Sequence, residues 1–291
     1  MKRDAFSCRH PAVNFLFFLG AFCMMLQHPA YVAVGVAAAA CYSLLLNGQA
    51  SRRLVLTLLP VMVLIAFLNP LVNTNGQTVL FLVFGRPYTW EALCYGAVLA
   101  GMLLSMLLWF SCFNKVMTGD KFTGLLGNLI PTLSLLLVMV LRMVPALLRK
   151  GKQIIGARRS IGKGSADSES FSERLHSGLL MLSCLTAWAL EGSVSTADSM
   201  RSRGYGTARR SSFALYRMSR ADWIWLGVLS ALLLIVAISV MFGAASAEFT
   251  PHWYIAPIAP IPFAAYCIFV FIPTLLHMEE AIAWRILRSK I

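Results

Sequence analysis

Acidic side chains are scarce in this chain: 12 Asp and Glu stand against 25 Lys and Arg in 291 residues, and charged residues together make up only 13%. A soluble domain carries about 25% charged residues, so the composition excludes an ordinary soluble enzyme or binding module. Catalytic and metal-binding sets are also missing. The histidines (His10, His28, His176, His252, His277) are scattered without metal-ligand spacing, and no GxSxG nucleophile motif occurs. None of the seven cysteines sits in a CxxC, and most lie in apolar runs, where a small buried hydrophobe is the expected role. Within or beside the apolar spans set out below, the clear ionisable residues are Glu91 and Glu279. A proton or ion relay leaves more intramembrane charge than that. Glu91 follows Tyr88 and Trp90 and reads as an acid at an interfacial helix start. There is no internal repeat and no low-complexity tract. No nucleic-acid module accompanies the net charge of +13, so neither nucleic acid nor a cofactor is an expected partner.

One near-motif needs weighing. GARRSIGKGS, Gly156 to Ser165, is close to a phosphate-binding loop. The true pattern is G-x-x-x-x-G-K-[ST] after an apolar strand. Here five residues separate Gly156 from Gly162, Gly164 stands where a hydroxyl must hold magnesium, and a basic helix is expected upstream. Nucleotide binding at this stretch is not expected.

What is present is apolar length. The chain is 58% hydrophobic with mean hydropathy +0.72. A bilayer core about 30 Å thick needs about 20 helical residues, and six candidate spans fit: 12–27, 30–47, 54–69, 89–113, 223–244 and 256–276. The first resembles a signal peptide, but a second apolar run follows at once and no cleavage site is evident, so an uncleaved span is expected. Bulky Phe22 before Cys23 argues against a lipoprotein cysteine. His28-Pro29 leaves so little between the first two spans that a tilted or re-entrant hairpin is an alternative. Asn69-Pro70 is expected to end the third span. Residues 78–87, TVLFLVFGRP, favour a short strand or hairpin.

Two further apolar stretches, 122–148 and 176–192, would make eight spans. Charge argues otherwise. If both crossed, the segment 149–175, with Arg149, Lys150, Lys152, Arg158, Arg159, Lys163 and Arg174, would face outside, against the positive-inside rule. Keeping 114–222 in the cytoplasm puts 13 of the 25 basic residues, counted from Arg149 to Arg220, on the inner side and leaves only Arg86 in the outer loops. The expectation is therefore an all-α integral membrane protein of about six membrane helices with a long cytoplasmic helical insertion. Its parts are membrane helices in 1–113, the insertion in 114–222, and membrane helices with a cytoplasmic tail (Arg285, Arg288, Lys290) in 223–291. Both termini are expected in the cytoplasm. Pro131 and Pro145 are expected to break the insertion's first apolar helix, with Arg142 between them on a polar or partner-facing side, and 162–172 to form a flexible linker.

Two basic helix ends lie in that insertion. WALEGSVSTADSMRSRGYG predicts a helix ending at Arg203, with Gly204 as its left-handed terminator. Asp198 and Arg201, three apart, can pair, whereas Arg203 points to nearly the opposite side. Its guanidinium is open to two roles: a solvated charge that complements the helix dipole, or a bidentate grip on a partner's carboxylate. The other end is RKGKQIIGARRSIG, where Lys152 and Arg159 share a face. The small-residue run AVGVAAAAC, Ala33 to Cys41, suits either close contact with another membrane helix or ordinary internal packing.

Several stretches give a family resemblance: HPAVNFLFF, FLNPLVNTNGQTVLF, KFTGLLGNLIPTLSLLLVMVLRMVP and, most specifically, TADSMRSRGYG with RSSFALYRMSRAD. Through most of its length the chain resembles the transmembrane T component of energy-coupling factor (ECF) transporters. The resemblance implies membrane helices plus long cytoplasmic coupling helices. Two of these end in short Ala-Arg-Gly-like motifs that dock on two ABC-type ATPase subunits. It also implies a substrate-binding membrane subunit as partner, and uptake of a vitamin or metal ion with no catalytic site in this chain. The second motif maps to Ser202-Arg203-Gly204, with Ser in place of Ala. The first maps to Arg158, Arg159 and Ser160, although a register running to Gly162 puts Ile161 at the arginine position. A stand-alone secondary transporter or channel is the alternative expectation.

Overall fold

In a computed structural model of the chain the described residues are 6–24, 26–74, 76–83, 86–162, 170–207, 216–243, 245–249 and 254–289. They form nine α-helices and are about 80% helical. Seven of these helices are long and apolar enough to cross a membrane. Most of the expected linker, residues 163–169, lies outside the described residues.

The chain divides into two compact units, one made of 1–122 and 216–291 and the other of 123–215. The first unit starts with α1 (Pro11–Cys23) and α2 (Pro29–Asn47). Both begin with the same device. Proline at the first helical position fixes φ and lacks an N–H that would have no partner anyway. The preceding histidine then caps the helix: His10 Nδ1 accepts from Ala12 N–H at 3.2 Å, and His28 Nδ1 from Ala30 N–H at 3.3 Å. With Nδ1 of His28 accepting, Nε2 carries the proton and donates to the Ala256 carbonyl at 3.2 Å. These histidines are structural caps, a role that a search for metal spacing does not register. At 13 residues α1 is about 20 Å long, so it is shorter than the expected span 12–27 and too short to cross a bilayer alone.

Next come α3 (Gln49–Val72), the antiparallel ribbon β1 (Val79–Val83) and β2 (Arg86–Thr89), and α4 (Trp90–Val116). The ribbon falls where the β-forming run predicted one. Pro70 does not end α3; it sits in the last turn, and the helix continues to Val72 with Asn73 N–H closing on the Asn69 carbonyl at 2.8 Å. Its missing N–H removes one i→i−4 bond, to the Ala66 carbonyl, and the helix still runs on for two residues. Glu91 is 6% exposed, and its carboxylate accepts from Thr78 N–H at 3.1 Å and Thr78 Oγ1 at 2.7 Å. It stitches the start of the ribbon to the start of α4.

After the second unit the chain returns through α8 (Arg220–Met241), a two-residue ribbon of β3 (Ala247–Glu248) and β4 (Tyr254–Ile255), and α9 (Pro260–Ser289). The segment with Arg285 and Arg288, the expected tail, is helical and continues α9. The core is aromatic: Phe17 lies 5.1 Å from Phe269 and 5.3 Å from Trp109, with Phe18 and Tyr42 around them. The first pair is stacked and the second edge-on, and aromatic pairs of either kind add about 0.5–1.5 kcal/mol each beyond their buried area. The small-residue run of α2 has two sides. Gly35, Ala38 and Ala39 are buried, and a Cβ at Gly35 would come within 2.7 Å of the Tyr266 hydroxyl, whereas Ala33, Ala37 and Cys41 are exposed. Of the seven cysteines only Cys112 is buried, and Cys8, Cys23, Cys41 and Cys184 are exposed. Helices of this type carry apolar residues outward as well as inward, so an apolar run does not imply burial.

Candidate functional site

The second unit holds most of the candidate residues. Its helices are α6 (Pro131–Ser160) and α7 (Phe171–Ser202). Pro131 separates α6 from the preceding α5 (Gly119–Leu129), as predicted. Pro145 does not break α6, which is helical for 14 residues before it and 15 after. An interior proline costs about 3 kcal/mol, and this long helix tolerates it. Arg142 is exposed one turn earlier.

Side chains of α6 meet α7 at several points along their length. Lys150 Nζ lies 5.9 Å from the Trp188 ring. A Cβ at Gly151 would lie 3.9 Å from Leu185. Arg158 donates from Nη1 to the Ser177 carbonyl at 2.9 Å and from Nη2 to Ser177 Oγ at 2.8 Å. As α6 advances its partners on α7 step backwards, so the two helices run antiparallel. Arg158 is therefore spent inside the unit and is not a free cation. Otherwise α7 is open: none of its residues is buried, and Leu175, Leu179, Leu182, Leu190 and Val194 are among its exposed apolar side chains.

The end of α7 is sharply defined. Gly204 has φ +76°, its N–H bonds to the Arg201 carbonyl at 3.0 Å, and Tyr205 N–H reaches back to the Met200 carbonyl at 3.1 Å. This pair of bonds is the Schellman arrangement, which needs a residue in the left-handed region and so selects glycine. Arg203, as the cap, is exposed, and its guanidinium has no hydrogen-bond partner among the described residues. Ser202 Oγ turns back to the Ser199 carbonyl at 2.9 Å. Asp198 and Arg201 are both exposed and form no ion pair among the described residues.

The end of α6 shares the first of these bonds, while Lys163, the donor for the second, lies outside the described residues. Gly162 also has φ +76°, and its N–H bonds to the Arg159 carbonyl at 3.0 Å. Superposing the two terminating glycines puts Ser160 on Ser202, Arg159 on Arg201 and Ile161 on Arg203. Ile161 is 70% exposed. Arg159 is exposed too, and Ser160 Oγ bonds to the Gly156 carbonyl at 3.1 Å. Gly156 to Ser160 thus belong to a helix end, the wrong backbone for cradling a phosphate.

The structure does not bring these residues together. Arg158 meets Ser177 near the start of α7, and Arg203 lies 26 residues further along it. At 1.5 Å per residue that is about 39 Å. The two glycine-terminated tips therefore sit at opposite ends of the helix pair, each with an exposed cation within its last turn. Among the described residues no group of His, Cys, Asp and Glu could hold a metal ion. Comparison of the chain with protein-family models and with curated proteins finds no match to either.

Proposed function

We propose that this chain is the energy-coupling membrane scaffold of an ABC-type importer of the ECF class. It would link two ATPase subunits to a substrate-binding membrane subunit that takes up a vitamin or a metal ion. In this reading residues 114–222 are cytoplasmic and both termini face the cell interior. α6 and α7 are long and apolar enough to cross a membrane, but their crossing would export Arg149, Lys150, Lys152, Arg158 and Arg159 together, against the positive-inside rule. Their exposed apolar faces then meet the other subunits and the membrane boundary.

The observation that carries the reading is the tip at Arg203: an exposed guanidinium with no partner among the described residues, on the cap of a helix whose end is fixed by Gly204. A planar donor held on a stiff rod suits bidentate capture of a carboxylate on a partner. The separation of about 39 Å along α7 favours two receptors, one for each tip.

The test is Arg203→Glu. An arginine that docking buries and pairs loses at least about 2 kcal/mol of docking energy on reversal, so ATP-driven uptake is lost while the protein remains in the membrane and keeps its substrate-binding partner. Full uptake by this variant refutes the role. Transport by the purified chain in liposomes without ATP would instead identify a stand-alone transporter or channel.

A further inference from the structure

Within the first unit, the residues just before the chain leaves it and just after the chain returns reach the same short segment. The chain leaves the first unit at Phe122 and returns at Tyr216. Just before the departure Lys121, 7% exposed, donates from Nζ to the Ser7 carbonyl at 2.5 Å, to Ser7 Oγ at 2.9 Å and to the Val116 carbonyl at 2.8 Å. Just after the return Asp222, 6% exposed, closes a capping box with Ser219: its carboxylate accepts from Ser219 N–H at 3.0 Å and Ser219 Oγ at 2.7 Å. The same carboxylate accepts from His10 N–H at 3.4 Å. One buried anion thus serves the N-termini of both α1 and α8, where two helix dipoles favour negative charge. Beside it the Arg9 guanidinium lies 5.9 Å from the Trp225 ring.

The segment from Phe6 to His10 is itself held tightly. Arg9 N–H bonds to the Phe6 carbonyl at 3.2 Å, making a turn. Phe6 is 1% exposed, with its ring 5.2 Å from Phe17 and 6.3 Å from Tyr42 in the aromatic core. Ser7 and His10 are three residues apart, so their Cα atoms are at most about 11 Å from each other.

We propose that residues 6–10 are a positioning strap. Through Ser7–Lys121 and His10–Asp222 they tie the departure and return of the 123–215 unit into one hub seated on the core by Phe6. Resting on the coupling reading above, the strap makes the departure and the return of the 123–215 segment respond together rather than as two independent junctions.

The experiment is hydrogen exchange on the full chain in lipid nanodiscs, comparing the parent with Lys121→Met. Removing the ammonium at the departure is expected to speed exchange at the return, residues 216–224, about tenfold or more, with residues 96–112 of α4 unchanged. Acceleration confined to 117–122 overturns the strap. A second measurement needs no variant: in the parent chain under mild denaturant, segments 6–10, 117–122 and 216–224 open together with one denaturant dependence, and separate dependences overturn it. In the assembled transporter, Lys121→Met is expected to lower the ratio of substrate uptake to ATP hydrolysis without loss of subunits, and an unchanged ratio refutes the strap's coupling role. Absence of any ATPase partner would sink the coupling reading alone, since both exchange measurements are made on this chain by itself.

Discussion

Gly204→Ala puts a side chain at φ +76°, and this change isolates what the α7 tip depends on. An L-residue in the left-handed region pays about 1–2 kcal/mol. Nothing offsets that here, because the nearest atom to the new Cβ is Thr207 Oγ1 at 3.3 Å, a contact already tighter than usual. The bonds from Gly204 N–H and Tyr205 N–H, 3.0 and 3.1 Å long, both require this φ. The tip is therefore expected to fray, with exchange of those two amides rising about 5–30-fold. Gly192→Ala is the control. Gly192 is mid-helix with open space around it, so alanine stabilises α7 by about 1 kcal/mol and slows exchange in its neighbours. Gly204→Asn, which tolerates the left-handed region better, falls between parent and alanine. Amide exchange by mass spectrometry on the peptide spanning 196–206 reads all three. Equal exchange in parent and Gly204→Ala, or the same shift from Gly192→Ala, would refute the claim that the left-handed glycine fixes the tip.

Two further predictions test the packing that presents the tips. Arg158→Ala removes both bonds to Ser177 and should cost about 1–3 kcal/mol, seen as faster exchange around Ser177 and a looser α6–α7 pair; unchanged exchange there refutes the pairing. Gly96→Ala should cost about 1–3 kcal/mol of thermal stability in detergent, because its Cβ would meet the Ala66 backbone oxygen at 2.7 Å and Asn69 Cβ at 2.8 Å; Gly227→Ala, in open space, is expected to be neutral or stabilising, and equal melting temperatures for the two variants refute the close α3–α4 approach.

Helices were legible in the sequence wherever an apolar run ended in a strong local signal. Gly204 and Gly162 stop α7 and α6 because only a left-handed residue closes those bonds, and Pro131 starts α6 because its ring suits a first turn. Prolines elsewhere misled. Pro70 and Pro145 read as terminators, yet a missing N–H near a helix end or within a 30-residue rod is a local cost that the rest of the helix outweighs. Tertiary partners were not legible. Nothing in the spacing of Arg158 announces Ser177, and nothing in His10 or Asp222 announces a shared cap between segments 212 residues apart. Hydropathy also fails to separate α6 and α7 from the other apolar helices, since length and composition qualify all of them alike. What sets α6 apart in the sequence is its basic cluster from Arg149 to Arg159, with no acid anywhere in the helix.

The two tips share a backbone but not a chemistry, and that difference is measurable. With Gly162 and Gly204 in the same left-handed state, the cap position holds Ile161 on α6 and Arg203 on α7. Arg159 lies two residues back, turned about 200° around the axis from Ile161. If docking reads the cap position, the α6 receptor offers an apolar surface and the α7 receptor a carboxylate. Ile161→Glu should then abolish assembly at one ATPase as fully as Arg203→Glu does at the other, each losing at least about 2 kcal/mol. Arg159→Glu, an exposed charge off the docking face, should cost about 1 kcal/mol or less. Co-purification of each variant with ATPase subunits ranks the three. Loss of assembly with Arg159→Glu and retention with Ile161→Glu would mean that the guanidinium is read out of register with the terminating glycine, and that the matching backbone ends do not define matching docking positions.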